Sequence, residues 1–168
     1  MSKKLGKRTD QRMAMLTNQV SELLWYGEIE TTVDRAKQVR SIAEKFITLA
    51  MRTYKDEVKV KKEVKNAKGE KVSKSFVNDG PKKLAARRRL MAELIDLQEQ
   101  KADKEKKSAF RKRIKDVKHP LIEKIFKELA PKYAKREEEL KQGGGYTTLL
   151  RTGQRVGDGA NVCILRLI

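Results

Sequence analysis

Cysteine and histidine are almost absent from this sequence, each occurring once in 168 residues. With Cys163 alone, an internal disulfide framework is excluded and a reducing compartment fits. Its surroundings, NVCILRLI, predict a small buried hydrophobe. One cysteine and one histidine also give no metal-ligand spacing. His119 stands before Pro120 at a segment boundary, which reads as a turn residue and not a general base. No window approaches the roughly 18 uncharged apolar residues that a membrane span requires, and the basic segments lack an aromatic-flanked amphipathic face. A membrane partner is not expected. The basic start is followed by LGKRTDQR where a secretory signal needs a run of about 7 to 15 apolar residues, and Asp10 with early helical periodicity argues against a mitochondrial presequence.

Aromatics make up 5% of the chain, with Trp25 and Tyr26 adjoining a helix end, too few to build a base-stacking platform for single strands. The GGGY stretch from Gly143 lacks the Gly-Lys-Ser/Thr ending of a phosphate-binding loop and reads as a flexible joint. Glu137, Glu138 and Glu139 are consecutive, so on a helix they point about 100° apart and cannot converge on two metals. Asp158, flanked by glycines, reads as a turn-former. No catalytic residue, cofactor, metal or small-molecule substrate is expected.

Positive charge is what the chain has in excess: 41 Lys and Arg against 23 Asp and Glu, a net +18. The excess is spread along the chain and is not an appended tail. A domain this basic repels itself when alone and concentrates polyanions, so nucleic acid is the expected partner.

Periodicity predicts a helix from Thr9 bearing Met13, Leu16, Val20, Leu23 and Leu24, capped by Thr9 or Asp10 and stopped by Gly27. EIETT follows as a strand with Ile29 inward and Glu28 and Glu30 outward. Thr32 offers an N-cap to a helix with an apolar stripe of Ala36, Val39, Ala43, Phe46, Ile47 and Ala50. Residues 56–79 are either a polar-faced hairpin turning near Gly69 or a disordered insertion. Pro81 suits the first position of a helix carrying Leu84, Ala85, Leu90, Met91, Leu94 and Ile95. That helix opens on basic residues, which its dipole disfavours, so the charge is expected to be kept for a partner. Residues 98–118 read as an exposed insertion. Leu121, Ile122, Ile125, Phe126 and Leu129 predict a short helix ended by Pro131, and the YTTLLRT and NVCILRLI runs predict a hairpin. The expected fold is α+β in two layers: a small mixed sheet, made of one strand from the N-terminal half plus the C-terminal hairpin, packed against several helices. Residues 1–8 form a basic arm, and residues 9–168 a single domain with inserts at 56–79 and 98–118.

The candidate contacts are the basic residues on the arm, the helix starts and the hairpin: Lys3, Lys4, Lys7, Arg8, Arg12, Arg35, Lys37, Arg40, Arg52, Lys82, Lys83, Arg87, Arg88, Arg151 and Arg155. Arg and Lys bind phosphate by charge-assisted hydrogen bonds, and Arg adds a planar fork. Binding spread over many elements fits a folded RNA, whereas a duplex-DNA reader concentrates side chains on one recognition helix. The arm is expected to order on that RNA.

Five blocks, LGKRTDQRMAML, IETTVDRAKQVRSIAEKFITLA, FKELAPKYAKR, GGGYTTLLRTG and RVGDGANVCILRLI, resemble in order the bacterial-type large-subunit ribosomal protein seventeen family. The resemblance covers residues 3–55, 81–96 and 119–168. It implies a non-catalytic ribosomal constituent in the cytoplasm that binds large-subunit ribosomal RNA near the nascent-chain exit region, beside neighbouring large-subunit ribosomal proteins. It places Lys7, Arg8 and Arg12 in the family's basic arm, Arg35, Lys37 and Arg40 on the helix after IETT, and Arg155 in the C-terminal hairpin loop. Thr17 departs from a common arginine, and GQRVGDG from a tip richer in Pro and Arg. The rival readings are a free RNA chaperone or nucleoid-type binder and a metal nuclease.

Overall fold

Apolar residues three and four apart seat helix α1 (Thr9–Tyr26) on the core, with Val20, Leu23 and Leu24 buried. The structure, a computed structural model, describes residues 4–65, 71–115 and 117–168. Gly27 ends α1 at φ 87°, its N–H donating to the Leu23 carbonyl at 2.9 Å. Neither Thr9 nor Asp10 caps the start: the N-cap position is Arg8, whose guanidinium holds both Asp10 oxygens at 2.8 and 2.6 Å. Burying one leucine contributes about 1.5–3 kcal/mol against about 1 kcal/mol for a cap, so the core and not the cap holds this helix. Strand β1 (Glu28–Thr32) turns Ile29 and Thr31 inward and Glu28 and Glu30 to solvent. Helix α2 (Val33–Thr53) starts from Thr32 without a side-chain cap bond and buries the expected stripe, including Ala36, Val39, Phe46 and Ile47.

The first insert is a hairpin. Strand β2 (Glu57–Lys65) pairs antiparallel with β3 (Lys71–Asp79) as a separate two-stranded ribbon, while the turn expected near Gly69 lies outside the described residues. Helix α3 (Pro81–Glu93) has Pro81 in its first turn, and its cap comes from far away in sequence. Asp56 Oδ2 accepts the Lys82 and Lys83 N–H groups at 2.8 and 3.3 Å, placing an anion at the positive end of the helix dipole.

Lys83 does not project into solvent. Its side chain is buried and pairs with Glu57 at 2.7 Å and Asp79 at 3.2 Å, and Arg87 joins Asp79 at 2.7 Å to Glu123 at 2.5 Å. This pairing turns Lys83, Ala86 and Leu90 inward, so Leu84, Ala85, Met91 and Ile95, expected on the apolar face, are exposed. Burial opposes ionisation of Asp79, but the Lys83 hydrogen bond and the Arg87 charge outweigh it and hold its carboxyl below the ordinary range. Glu123 is lowered in the same way, its burial outweighed by hydrogen bonds from Lys127 and Arg87.

The second insert is exposed and carries α4 (Lys107–Ile114), which buries no residue; Arg113 pairs with Glu99, and with Glu105 at 3.2 Å. Next come α5 (Pro120–Lys124), a π turn (Ile125–Leu129) and α6 (Ala130–Leu140), which run without a break. Pro131 does not end the helix. The Ala130 N–H bonds the Ile125 carbonyl five residues back, so the residue lacking an N–H arrives where the ladder is already shifted and widened. Asp96 caps α5 through the Leu121 N–H at 3.3 Å and lies 2.9 Å from His119 Nδ1, the turn residue. Lys124 Nζ donates to the Trp25 carbonyl at 2.7 Å, a cation at the negative end of α1.

Strands β4 (Thr147–Gln154) and β5 (Asn161–Leu167) complete a sheet of order β1-β5-β4. The two-layer α+β arrangement is as expected. Both pairings are antiparallel, so the sheet is antiparallel throughout and not mixed, because β5 runs opposite to the strands on either side. Cys163 and Leu165 on its inner face are fully buried, and burial pushes the Cys163 thiol up.

Two outcomes follow for stability. Asp56→Ala is expected to lower the unfolding free energy by about 1–2 kcal/mol in urea titration. A Cβ on Gly80 would stand 2.4 Å from the Asp56 carboxyl carbon, so Gly80→Ala displaces the cap and destabilises in the native background. In the Asp56→Ala background the same change is expected to be neutral within about 0.5 kcal/mol. Equal costs in both backgrounds would refute the cap. Because the Asp79 and Glu123 values are lowered, their contribution is complete above the ordinary carboxylate range, about pH 4, and is lost as pH falls through the lowered values. Thermal unfolding followed against pH is expected to show this acid loss in the native protein and a shallower one in Arg87→Met.

Candidate nucleic-acid interface

The face of α2 opposite its apolar stripe is cationic. Lys37, Arg40, Lys45 and Arg52 line a groove of about 800 Å3, bounded by Met13 of α1, Arg89 of α3 and Tyr146. At about 100° per residue these four positions fall within about 140° of one another, on one broad solvent face. Acids modulate the groove: Arg40 pairs with Glu44 at 3.2 Å, Glu44 also accepts the Thr147 hydroxyl at 2.8 Å, and Arg89 pairs with Glu93 at 2.8 Å. Lys37, Lys45 and Arg52 have no acidic partner among the described residues.

A second cleft, of about 590 Å3, opens between the first turn of α2 and the β4–β5 hairpin. Arg35, Lys37, Arg151 and Arg155 line it. Arg151 is in register with buried Cys163, on the sheet face that covers the core, but it stands on β4, the edge strand, and is exposed. Leu5 lines the same cleft and packs on the edge of the core, which pins the start of the chain there with Lys4 and Lys7 exposed on either side.

At the hairpin tip, Asp158 holds Arg155 at 2.8 and 2.5 Å and accepts the Ala160 N–H at 3.2 Å, making it the turn-former expected. The Arg155 hydrogen bond holds the Asp158 carboxyl down to about 2. The pair is fully exposed, so solvent and salt screen it and a phosphate can compete for the guanidinium. Arg8 and Asp10 form a comparable exposed pair.

The expected contact residues thus separate. Arg35, Lys37, Arg40, Arg52, Arg151 and Arg155 gather along two clefts that share Lys37. Lys83 and Arg87 lie outside both clefts, largely buried and paired with acids. Lys82 and Arg88 are exposed on α3, and Arg12 is half-buried on α1, outside both clefts. Lys3 lies outside the described residues. Two groove cations were not among those expected. Lys45 was legible, standing eight residues after Lys37 on the same helix face; Arg89 was not, because only the rotation of α3 tells it from Arg87 and Arg88. Among the described residues no group of three or more His, Cys, Asp or Glu is placed to hold a metal, and no helix is long and apolar enough to cross a membrane.

Cations so arranged suit the neutralisation of phosphates. The family model described as Ribosomal protein L17 matches residues 15–168. The chain is 36% identical to the large ribosomal subunit protein bL17 of Clostridium tetani over 166 residues, covering 99% of this chain and 96% of that one. It is similarly 36% identical to the protein of that name in Clostridium botulinum and 35% identical to that in Clostridium acetobutylicum, at the same coverage. Those relatives are of nearly this length, so both inserts fall within the aligned span. Over its length, then, the chain belongs to the ribosomal protein L17 family.

Proposed function

We propose that this protein is a non-enzymatic constituent of the large ribosomal subunit, in the cytoplasm, and that it binds ribosomal RNA through the cationic face of α2 and the adjoining hairpin cleft. The observation that carries this reading is the meeting of two cation-lined clefts at Lys37, on a chain of net charge +18. Cations drawn from the arm, a helix face and a hairpin match the shape and phosphates of a folded RNA better than the edges of one DNA groove. The described part of the basic arm, residues 4–8, extends the same surface, and neighbouring ribosomal proteins border it.

Replacing Lys37, Lys45 and Arg151 with glutamine is expected to weaken binding to large-subunit RNA across sequences. The slope of log affinity against log salt should fall by about one for each phosphate that the variant no longer neutralises. Lys83→Gln is expected to lower thermal stability and leave that slope unchanged. A slope unaltered by the triple change would remove the cleft from the interface. Asp158→Asn releases Arg155 and removes a competing charge, so affinity is expected to rise; an unchanged affinity would mean that Arg155 makes no phosphate contact. Sedimentation separates a ribosomal constituent from a free RNA chaperone: one copy per large subunit is expected to survive a high-salt wash, whereas a loose binder is stripped.

A further inference from the structure

The β2–β3 ribbon leaves the body with no second layer behind it, although two strands alone are marginal in water. Two devices hold it. Val60 stands directly opposite Phe76, with Val58 next on the same face, and cross-strand pairs of this kind contribute about 0.2–1 kcal/mol. At the base, Glu57 and Asp79 face each other in register, and Lys83 holds both while Arg87 holds Asp79 a second time.

The clamp also sorts charge. Glu57 and Asp79 are neutralised where the ribbon meets α3, and beyond them the paired strands contain Lys59, Lys61, Lys62, Lys65, Lys71 and Lys74 against the single acid Glu63. The face away from Phe76 presents Lys59, Lys61, Ser73 and Ser75, all exposed, with exposed Val77 directly opposite Lys59. Lys59, Lys61 and Lys62 have no acidic partner among the described residues. Half-exposed Val58 and Phe76 lie on the face where Val60 and Phe76 pair across the ribbon, whereas no acid among the described residues answers Lys59 and Lys61.

We propose that this ribbon is a second RNA-contact arm, separate from the α2 clefts, whose Lys59, Lys61, Ser73 and Ser75 face lies along the backbone of an RNA duplex. The inference rests on the RNA-binding reading above and extends it to an element outside that interface. Lysine ammoniums neutralise phosphates and serine hydroxyls bond phosphate oxygens or the 2′-hydroxyl, which positions without reading sequence. The deep, narrow major groove of an A-form helix excludes a two-stranded ribbon, so the contact falls on the wide, shallow minor groove and its flanking strands. The clamp of Lys83 and Arg87 fixes the angle at which the ribbon meets the RNA.

The test has two arms. With Lys61 replaced by a photoreactive amino acid in the full-length protein, assembled large subunits are irradiated and the adducts identified; RNA adducts are expected, and adducts to protein alone overturn the proposal. In parallel, the variant Lys59→Gln, Lys61→Gln is compared with Lys37→Gln, Arg151→Gln for binding to isolated large-subunit RNA. All four positions are exposed, and unchanged thermal unfolding confirms that both variants fold. The ribbon variant is expected to lower the salt slope by about two. A slope equal to that of the unaltered protein, with the cleft variant still reduced, overturns the ribbon and leaves the broader reading intact. If both variants bind as the unaltered protein does, the broader reading falls with it.

Discussion

One face of α2 must be buried, and everything else is arranged around that requirement. Ala36, Val39, Ala43, Phe46, Ile47 and Ala50 are closed in by α1, the sheet and the helix that runs from Pro120 to Leu140. A helix so enclosed cannot rotate without exposing that stripe, each large apolar side chain contributing about 1.5–3 kcal/mol to its place. The opposite face is therefore fixed in direction too, and Lys37, Arg40, Lys45 and Arg52 are presented as one surface by the packing of residues on the far side of the helix. The sheet adds Arg151 from its edge strand and Arg155 from the hairpin tip to this surface.

Charge is divided by location as well as by number. Acids are placed where a helix end or a joint needs them: Asp56 on α3, Asp96 on α5, and Glu57, Asp79 and Glu123 on the pair Lys83 and Arg87. Burying either cation unpaired would destabilise the fold strongly, and pairing converts it into a joint between the ribbon, α3 and α5. Cations outside those joints stay on the surface, where +18 of uncompensated charge favours a polyanion as partner. The same chemistry thus serves structure in one place and recognition in another, and the nearest carboxylate decides which.

Much of this was readable from residue order. The α2 stripe, the stop at Gly27, the alternation of EIETT and the C-terminal hairpin are local patterns of period 3.6 or 2, and each stands where its pattern placed it. What escaped was set by contacts distant in sequence. The RRR run of α3 looks uniform, yet Arg87 points inward because Asp79 and Glu123 are there, and Arg89 points to the groove. The caps of α3 and α5 come from residues outside those helices, and Pro131 passes through a helix because a π turn precedes it. Site residues were legible where helical period alone orients them, as with Lys37 and Arg40, and not where ion pairing sets the rotation.

The claim at the centre is that the cationic face of α2 is the RNA side of the molecule. Lysine acylation, read residue by residue in the free protein and again in intact large subunits, measures it directly. Lys37 and Lys45 are expected to react freely in isolation and to be protected in the subunit. If both react as readily in the subunit as in the free protein, α2 does not face the RNA and the account is wrong.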